Sequence, residues 1–230
     1  MQAARSIICT GISIAPETAE PVVHRLTVPE GLTTAEIRAI VDAADGLAGE
    51  TPESEEGSLL PETYHFHRGD SRAGVVARMQ SAMTATLAEL WPDRASDLPF
   101  DDPHEALILA SIVEKETGLA AERPRVAAVF VNRLKRGMKL QSDPTVAYAL
   151  TDGKGGLDRA LLRADLAVDH PYNTYVIAGL PPGPIANPGR ASIAAVLNPL
   201  STQDLYFVAD GTGGHAFART LAEHNRNVAK

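Results

Sequence analysis

The spacing of apolar positions changes several times along the chain, and each change predicts a new element. Residues 24–28 alternate apolar and polar, as a half-buried strand does, and Pro29, Glu30 and Gly31 follow as a turn. Ile37, Ile40 and Val41 then share one helical face, with Thr33 or Thr34 as the capping residue. The acidic stretch 50–57 reads as a loop, and 59–66 as a strand interrupted by Pro61. From 72 to 90 a helix is expected, carrying Val75, Val76, Met79, Met83 and Leu87 on its apolar face. The run 91–101, rich in Pro and Asp, reads as a linker into a second unit.

That second unit is mostly helical in pattern. Asp102 as N-cap, Pro103 at the first helical position and Glu105 at the third open a helix that runs through Leu107, Ile108, Leu109, Ile112 and Val113 toward Gly118. A second helix, 124–136, carries Val126, Val129, Phe130 and Leu134 and stops at Gly137. Asp143 and Pro144 start a short helix, with Asp143 expected as its N-cap, and 157–166 again has helical spacing. Residues 170–189 keep no period; a long aperiodic stretch with Tyr, Asn and Pro is expected to be an ordered, functional loop. A helix at 192–197, a hairpin of 205–209 and 215–217 around Asp210-Gly-Thr-Gly-Gly, and a last helix from about Thr220 complete the reading. Ahead of all this, 6–15 is apolar behind Arg5. Its β-branched Ile7, Ile8, Ile12 and Ile14 predict a buried strand; a signal-peptide core is the rival, but no small-residue cleavage site follows.

Composition narrows the function classes. With 230 residues, 44% hydrophobic and 22% charged, the chain can build one large core or two modest ones. A formal charge of −8 argues against a nucleic-acid partner, which would need a clustered cationic surplus. The single cysteine, Cys9, excludes an intrachain disulfide and a Cys-based metal cluster. His65 and His67 share a strand face, and His170, His215 and His224 lie further on. That spacing is too weak to predict a metal, and none is expected.

Glu116 is the most informative residue. Leu109, Ile112, Val113 and Glu116 fall on one helical stripe, so a carboxylate stands where the next core residue belongs. A carboxyl in such a setting has a raised pKa, which suits a general acid near neutral pH. The plainer alternative is a frayed last turn with Glu116 exposed, and periodicity alone leaves both open. Around loops nearby in sequence gather Asn132, Gln141, Ser142, Asp143, Tyr172, Asn173, Thr174 and Tyr175, amides and aromatics of the kind that hold sugar hydroxyls and pyranose faces.

Several runs resemble the MltG (YceG-like) family of endolytic murein transglycosylases: LASIVEKET at 109–117, VFVNRL at 129–134, LQSDPTV at 140–146, YNTY at 172–175, GLPPGPI at 179–185, YFVADG at 206–211 and GGHAF at 213–217. Upstream, VPEG at 28–31 and EGSLLPETY at 56–64 extend the likeness, in order, to nearly the whole chain. The resemblance implies an α+β fold: a lead-in at 1–23, a LysM-like βα subdomain with its connecting segment at 24–100, and a catalytic domain at 101–230. It implies that Glu116, the second glutamate of the Glu-Lys-Glu-Thr run, is catalytic, with Asn132, Gln141, Asp143, Tyr172, Asn173 and Tyr175 as substrate-binding candidates. Implied too are peptidoglycan glycan strands as substrate, cell-wall synthases as partners, no cofactor, and formation of 1,6-anhydro-muramyl ends. Family members begin with a membrane-spanning helix. These 230 residues have no such stretch, so the expected place is the outer face of the cytoplasmic membrane, reached through an N-terminal anchor outside this sequence. Two other readings stand beside this one: a hydrolase pairing Glu116 with Glu62 or Asp143, and a glycan-binding module without activity.

Overall fold

The alternating stretch near the start forms strand β1 (Val23–Thr27), and its partner β2 (Thr63–His67) begins only after Pro61. In this computed structural model, which describes residues 22–230, the two strands pair antiparallel, Val23 opposite His67 and Thr27 opposite Thr63. Leu59 and Leu60 are buried ahead of the strand rather than in it, and the Tyr64 hydroxyl donates to the Leu60 carbonyl at 2.7 Å. Helix α1 (Thr34–Ala43) packs on this pair through Ile37 and Val41. Its start is a reciprocal cap: Thr33 Oγ1 accepts from the Glu36 amide at 3.3 Å and Glu36 Oε2 accepts from the Thr33 amide at 2.8 Å.

Helix α2 (Arg72–Leu90) belongs to two cores at once. Its first half gives Val75, Val76 and Met79 to a small core with Leu26, Val28, Ile37, Val41, Tyr64 and Phe66. One turn further, Met83 enters a larger core, with Leu87 and Leu90 packed against it. The Pro- and Asp-rich connection that follows makes a single 3-10 turn at Trp91–Asp93 and buries Phe100.

The larger core is built around helix α3 (Pro103–Glu116), which is buried without interruption from Ala106 to Val113. A helix apolar on every side has to be central. Helices α4 (Arg123–Lys135) and α6 (Arg190–Leu197) pack on it, and α5 (Asp143–Thr151) touches its end. Strands β3 (Tyr206–Ala209) and β4 (His215–Ala218) form the expected hairpin, and α7 (Leu221–Val228) closes the chain. The Asp210 Oδ1 atom holds the turn by accepting from the Thr212 and Gly214 amides at 2.8 and 3.2 Å.

One element differs from the sequence reading. Residues 157–166 are not helical; the segment is a loop ending in a 3-10 turn at Asp165–Ala167. Asp165 explains this. Its carboxylate accepts from the Leu162 amide at 2.7 Å and from both terminal nitrogens of Arg159, at 2.6 and 3.0 Å. A side chain that takes its neighbour's amide offers the backbone an alternative to the helical ladder. These bonds hold the Asp165 carboxyl down at about 2, the Arg159 hydrogen bond contributing most.

The α1 side and the α3 side are tied together by Asn187, which is fully buried. Its amide nitrogen donates to the Leu32 carbonyl, Thr34 Oγ1 and Glu56 Oε1 at 3.0–3.1 Å, while its side-chain oxygen accepts from the Leu59 amide at 2.9 Å. Among the described residues no helix is long and apolar enough to cross a membrane. The strand expected at 6–15 lies outside the described residues.

Candidate active site

Three consecutive residues at the end of α3 go three ways. Glu114 is nearly buried, accepting from the Gly189 amide at 2.9 Å and pairing with Arg123 at 3.4 Å. Lys115 points outward and donates to the Gly31 carbonyl at 3.1 Å, which docks the turn after β1. Glu116, the last helical residue, faces a pocket of about 330 Å³. Their contacts separate the two glutamates: Glu114 is taken up by an amide and a guanidinium, and Glu116 opens to the cleft.

Burial pushes the Glu116 carboxyl up to about 7, against the opposing pull of its hydrogen bond with Ser142 and with some help from the negative charge of Asp143. Ile112 and Val113, both fully buried, form part of the apolar body behind it. The Ser142 hydroxyl donates to Glu116 Oε1, and among the described residues no side chain or amide takes Oε2. A protonated Glu116 can thus be held by one oxygen and present its proton on the other.

Ser142 can serve Glu116 because it caps α5 without using its hydroxyl on the helix. The expected N-cap was Asp143; the cap is Ser142, and Asp143 is the first residue inside the helix. What positions Ser142 is a knot of loop contacts. Its amide donates to Thr174 Oγ1 at 3.0 Å, and Thr145 Oγ1 sits 2.8 Å from Thr174 Oγ1. Gln141 enters this knot with φ +51°, a left-handed conformation that costs a non-glycine residue free energy and recurs at functional sites.

Of the sequence candidates, Glu116, Gln141, Asp143 and Tyr175 line this one pocket. The Tyr175 hydroxyl donates to Asp143 Oδ1 at 2.6 Å. Three others are placed elsewhere. Asn132 donates to the Thr202 and Asp204 carbonyls at 2.9 and 3.0 Å and ties down the approach to β3. Asn173 is fully buried, donating to the Leu166 and Val168 carbonyls and so shaping its own loop. Tyr172 packs on Tyr148, ring centroids 4.8 Å apart. The pocket also contains residues the sequence reading passed over: Phe130, Arg133, Leu140, Phe207 and Val208. Arg133 is nearly buried, fixed by bonds from Nε to the Leu205 carbonyl and from Nη1 to the Leu140 carbonyl, each 2.7 Å. Behind Phe207 stands His215, its ring edge-on at 5.3 Å and its Nδ1 2.7 Å from Glu122 Oε2. Among the described residues no cluster of His, Cys, Asp or Glu has the arrangement of a metal site.

A half-buried acid, a nearly buried guanidinium and aromatic walls on a helix end and a hairpin are a combination that can be compared with known proteins. Residues 9–230 match the YceG-like family. The chain belongs to the YceG-like family. It is 42% identical over 175 residues to a protein of Bacillus subtilis named endolytic murein transglycosylase, a match covering 76% of this chain and 47% of that protein. A protein of the same name from Streptococcus pneumoniae is 31% identical over 256 aligned positions, covering 93% of this chain and 46% of the relative. The chain thus spans about half the length of the curated relatives it matches. A crystal structure of a yceG-like protein from Listeria monocytogenes superposes with a TM-score of 0.71 at 33% identity, covering 88% of this chain and 75% of the other. The α+β architecture is therefore that of a family member with a solved structure.

Proposed function

We propose that this chain carries the catalytic centre of a peptidoglycan lytic transglycosylase acting inside glycan strands, with Glu116 as its single acid and base. The observation that carries the proposal is a carboxyl raised to about 7 at the wall of a pocket, with one oxygen held by Ser142. The printed name of the bacterial relatives, endolytic murein transglycosylase, supports the same reading.

In the reaction, protonated Glu116 gives its proton to the glycosidic oxygen between N-acetylmuramic acid and N-acetylglucosamine, and the bond from that oxygen to the muramyl C1 breaks. The glucosamine leaves with a free 4-hydroxyl. Glu116, now a carboxylate, takes the proton of the muramyl 6-hydroxyl as that oxygen bonds to C1, closing a 1,6-anhydro ring. No water is consumed, and the glutamate ends protonated, as it began. The muramyl N-acetyl oxygen can assist departure, as in substrate-assisted glycosidases. Arg133 and Gln141, which line the pocket, supply polar groups for sugar oxygens, and Phe207 and Tyr175 supply aromatic surface for the pyranose. Under this reading β1, α1 and β2 are the LysM-like unit, residues 101–230 are the catalytic domain, and the protein works in the cell envelope beside the synthases that make the strands.

A two-carboxylate hydrolase remains a second reading because Asp143 shares the pocket. Glu62, the other candidate partner, is exposed at the foot of β2 and does not line it. Digestion of purified glycan strands followed by mass spectrometry separates the two. The expected products carry anhydro-muramyl ends, lighter by one water than reducing ends; reducing ends throughout would replace the lyase with the hydrolase.

A further inference from the structure

A second cavity, about 340 Å³, lies on the other side of Asp143, which lines both it and the Glu116 pocket. It is a trough between α1, the end of α3, α5 and the loop that the sequence pattern had marked as helical. Its walls are apolar where they come from Pro144, Ala147, Leu157, Leu161 and Ile185. Leu157 and Leu161 are both half-buried, each leaving surface uncovered by the rest of the chain. Helical spacing in 157–166 is thus a by-product: the leucines recur because they line a trough, while Asp165 and Arg159 hold the backbone open. At one side Lys115 reaches the trough, and among the described residues no carboxylate pairs with it. Its ammonium gives one hydrogen to the Gly31 carbonyl and keeps two.

We infer that this trough binds the peptide stem of the muramyl residue whose bond is cleaved. The inference rests on the transglycosylase reading of Glu116 and adds what the enzyme recognises beside the sugar. Continuity decides the occupant. A muramyl residue poised at Glu116 projects its lactyl ether, and the peptide attached to it, away from the scissile oxygen, and the trough is a second cavity that shares a wall residue with that pocket. The chemistry agrees. Glu36, Asp143 and Arg159 also line the trough, but each is engaged, in the cap of α1, with Tyr175 and with Asp165. The Lys115 ammonium is left to meet a free carboxylate of a short stem whose methyls suit the apolar walls. Rigidity agrees too. Thr33 and Glu36 of the α1 side form part of the wall, and Asn187 and Lys115 lock that side in place, so the trough is preformed.

The test compares cleavage of two preparations of the same strands, one bearing stems and one stripped by an amidase. Wild-type protein should favour stem-bearing strands in kcat/KM by about tenfold, the effect of one good contact. Ala147→Trp, which fills the trough from α5, should bring that ratio close to one. Leu161→Gln, on the loop and away from any helix, should lower it in the same direction. An unchanged ratio in both variants overturns the inference, as does an equal loss on both preparations, which would make the trough a sugar subsite. A wild-type protein that cleaves neither preparation overturns the transglycosylase reading itself, and a wild-type protein that cleaves both equally well overturns the stem proposal alone.

Discussion

At the scale of single residues, function follows from where a charge cannot be solvated. Glu116 holds its proton to about 7 because the end of α3 is packed on apolar neighbours, whereas Glu114, two residues earlier, has a guanidinium and an amide as partners. Glu116→Gln keeps size and hydrogen bonding but can neither give nor take a proton. Turnover should fall by roughly 10²–10⁴, and Glu114→Gln should act on folding instead. Turnover at saturating substrate should be highest below about pH 7 and decline as pH rises through that value, because the acid must be protonated to begin. Stability carries the same signature. A carboxyl raised on folding from its ordinary 4.5 stabilises the fold less as pH rises between those two values and no further above them. At pH 8 the Gln variant should therefore resist urea better than wild type, by on the order of 1–3 kcal/mol, and at pH 4 the two should coincide. NMR titration of a carboxyl-labelled Glu116 near 4.5 would remove the basis of both expectations. The same stripe logic was available for Arg133, since Val126, Phe130 and Arg133 recur at helical spacing on α4 and the guanidinium stands where a core residue belongs. Asn132 and Asn173 misled for a different reason. An amide in a glycan-binding neighbourhood resembles a sugar ligand, but buried backbone carbonyls also demand donors, and both side chains answer that demand.

At the scale of elements, the helices with clear start signals and long apolar faces were legible. The start of α3 followed from Asp102 and Pro103, and the 206–218 hairpin from its glycine-rich turn. What was hidden is the set of contacts between distant segments. The loop at 157–166 has the apolar period of a helix, and only the reach of Asp165 back to Leu162 and Arg159 shows that it cannot be one. Asn187 gives no periodic signal at all, sitting among prolines and glycines, yet it fastens the α1 side to the α3 side. Asn187→Leu would leave the buried Leu59 amide without its partner and remove the side-chain bonds to Thr34 Oγ1 and Glu56 Oε1, while the Leu32 carbonyl keeps the residue-187 amide. The expected loss is about 2–4 kcal/mol, several unmade bonds at the usual cost, read as a lower urea midpoint with an unchanged slope. A variant as stable as wild type would mean that the two sides are held by packing and that the hydrogen bonds are incidental.

At the scale of the whole molecule, two cores share one helix, and that arrangement governs how the protein should come apart. Met79 and Met83 stand one turn apart on α2, the first in the small core and the second in the large one. Neither core can lose α2 without exposing apolar side chains of the other. Asn187 and Lys115 add bonds across the same boundary. The sequence pattern suggested a linker at 91–101 into a second unit; α2 runs through the boundary before that linker begins. The chain's single tryptophan offers the test. Trp91 follows α2 directly and packs against the large core, while the amides of Ile37 and Val41 lie in the small one. Thermal unfolding followed by Trp91 fluorescence and by the NMR signals of those two amides should give superimposable curves with one midpoint, as a two-state transition requires. In Met79→Ala, the small core loses volume that α2 cannot supply from elsewhere; the fold should lose the roughly 2–5 kcal/mol of a buried Met truncation, and the shared midpoint should fall for both probes together. Amide signals that disappear well before the fluorescence changes would show a small unit that unfolds alone. A trough with one wall built from that unit would then be open whenever the unit was, and its selectivity for stem-bearing strands should decay with temperature along the amide curve rather than the tryptophan curve.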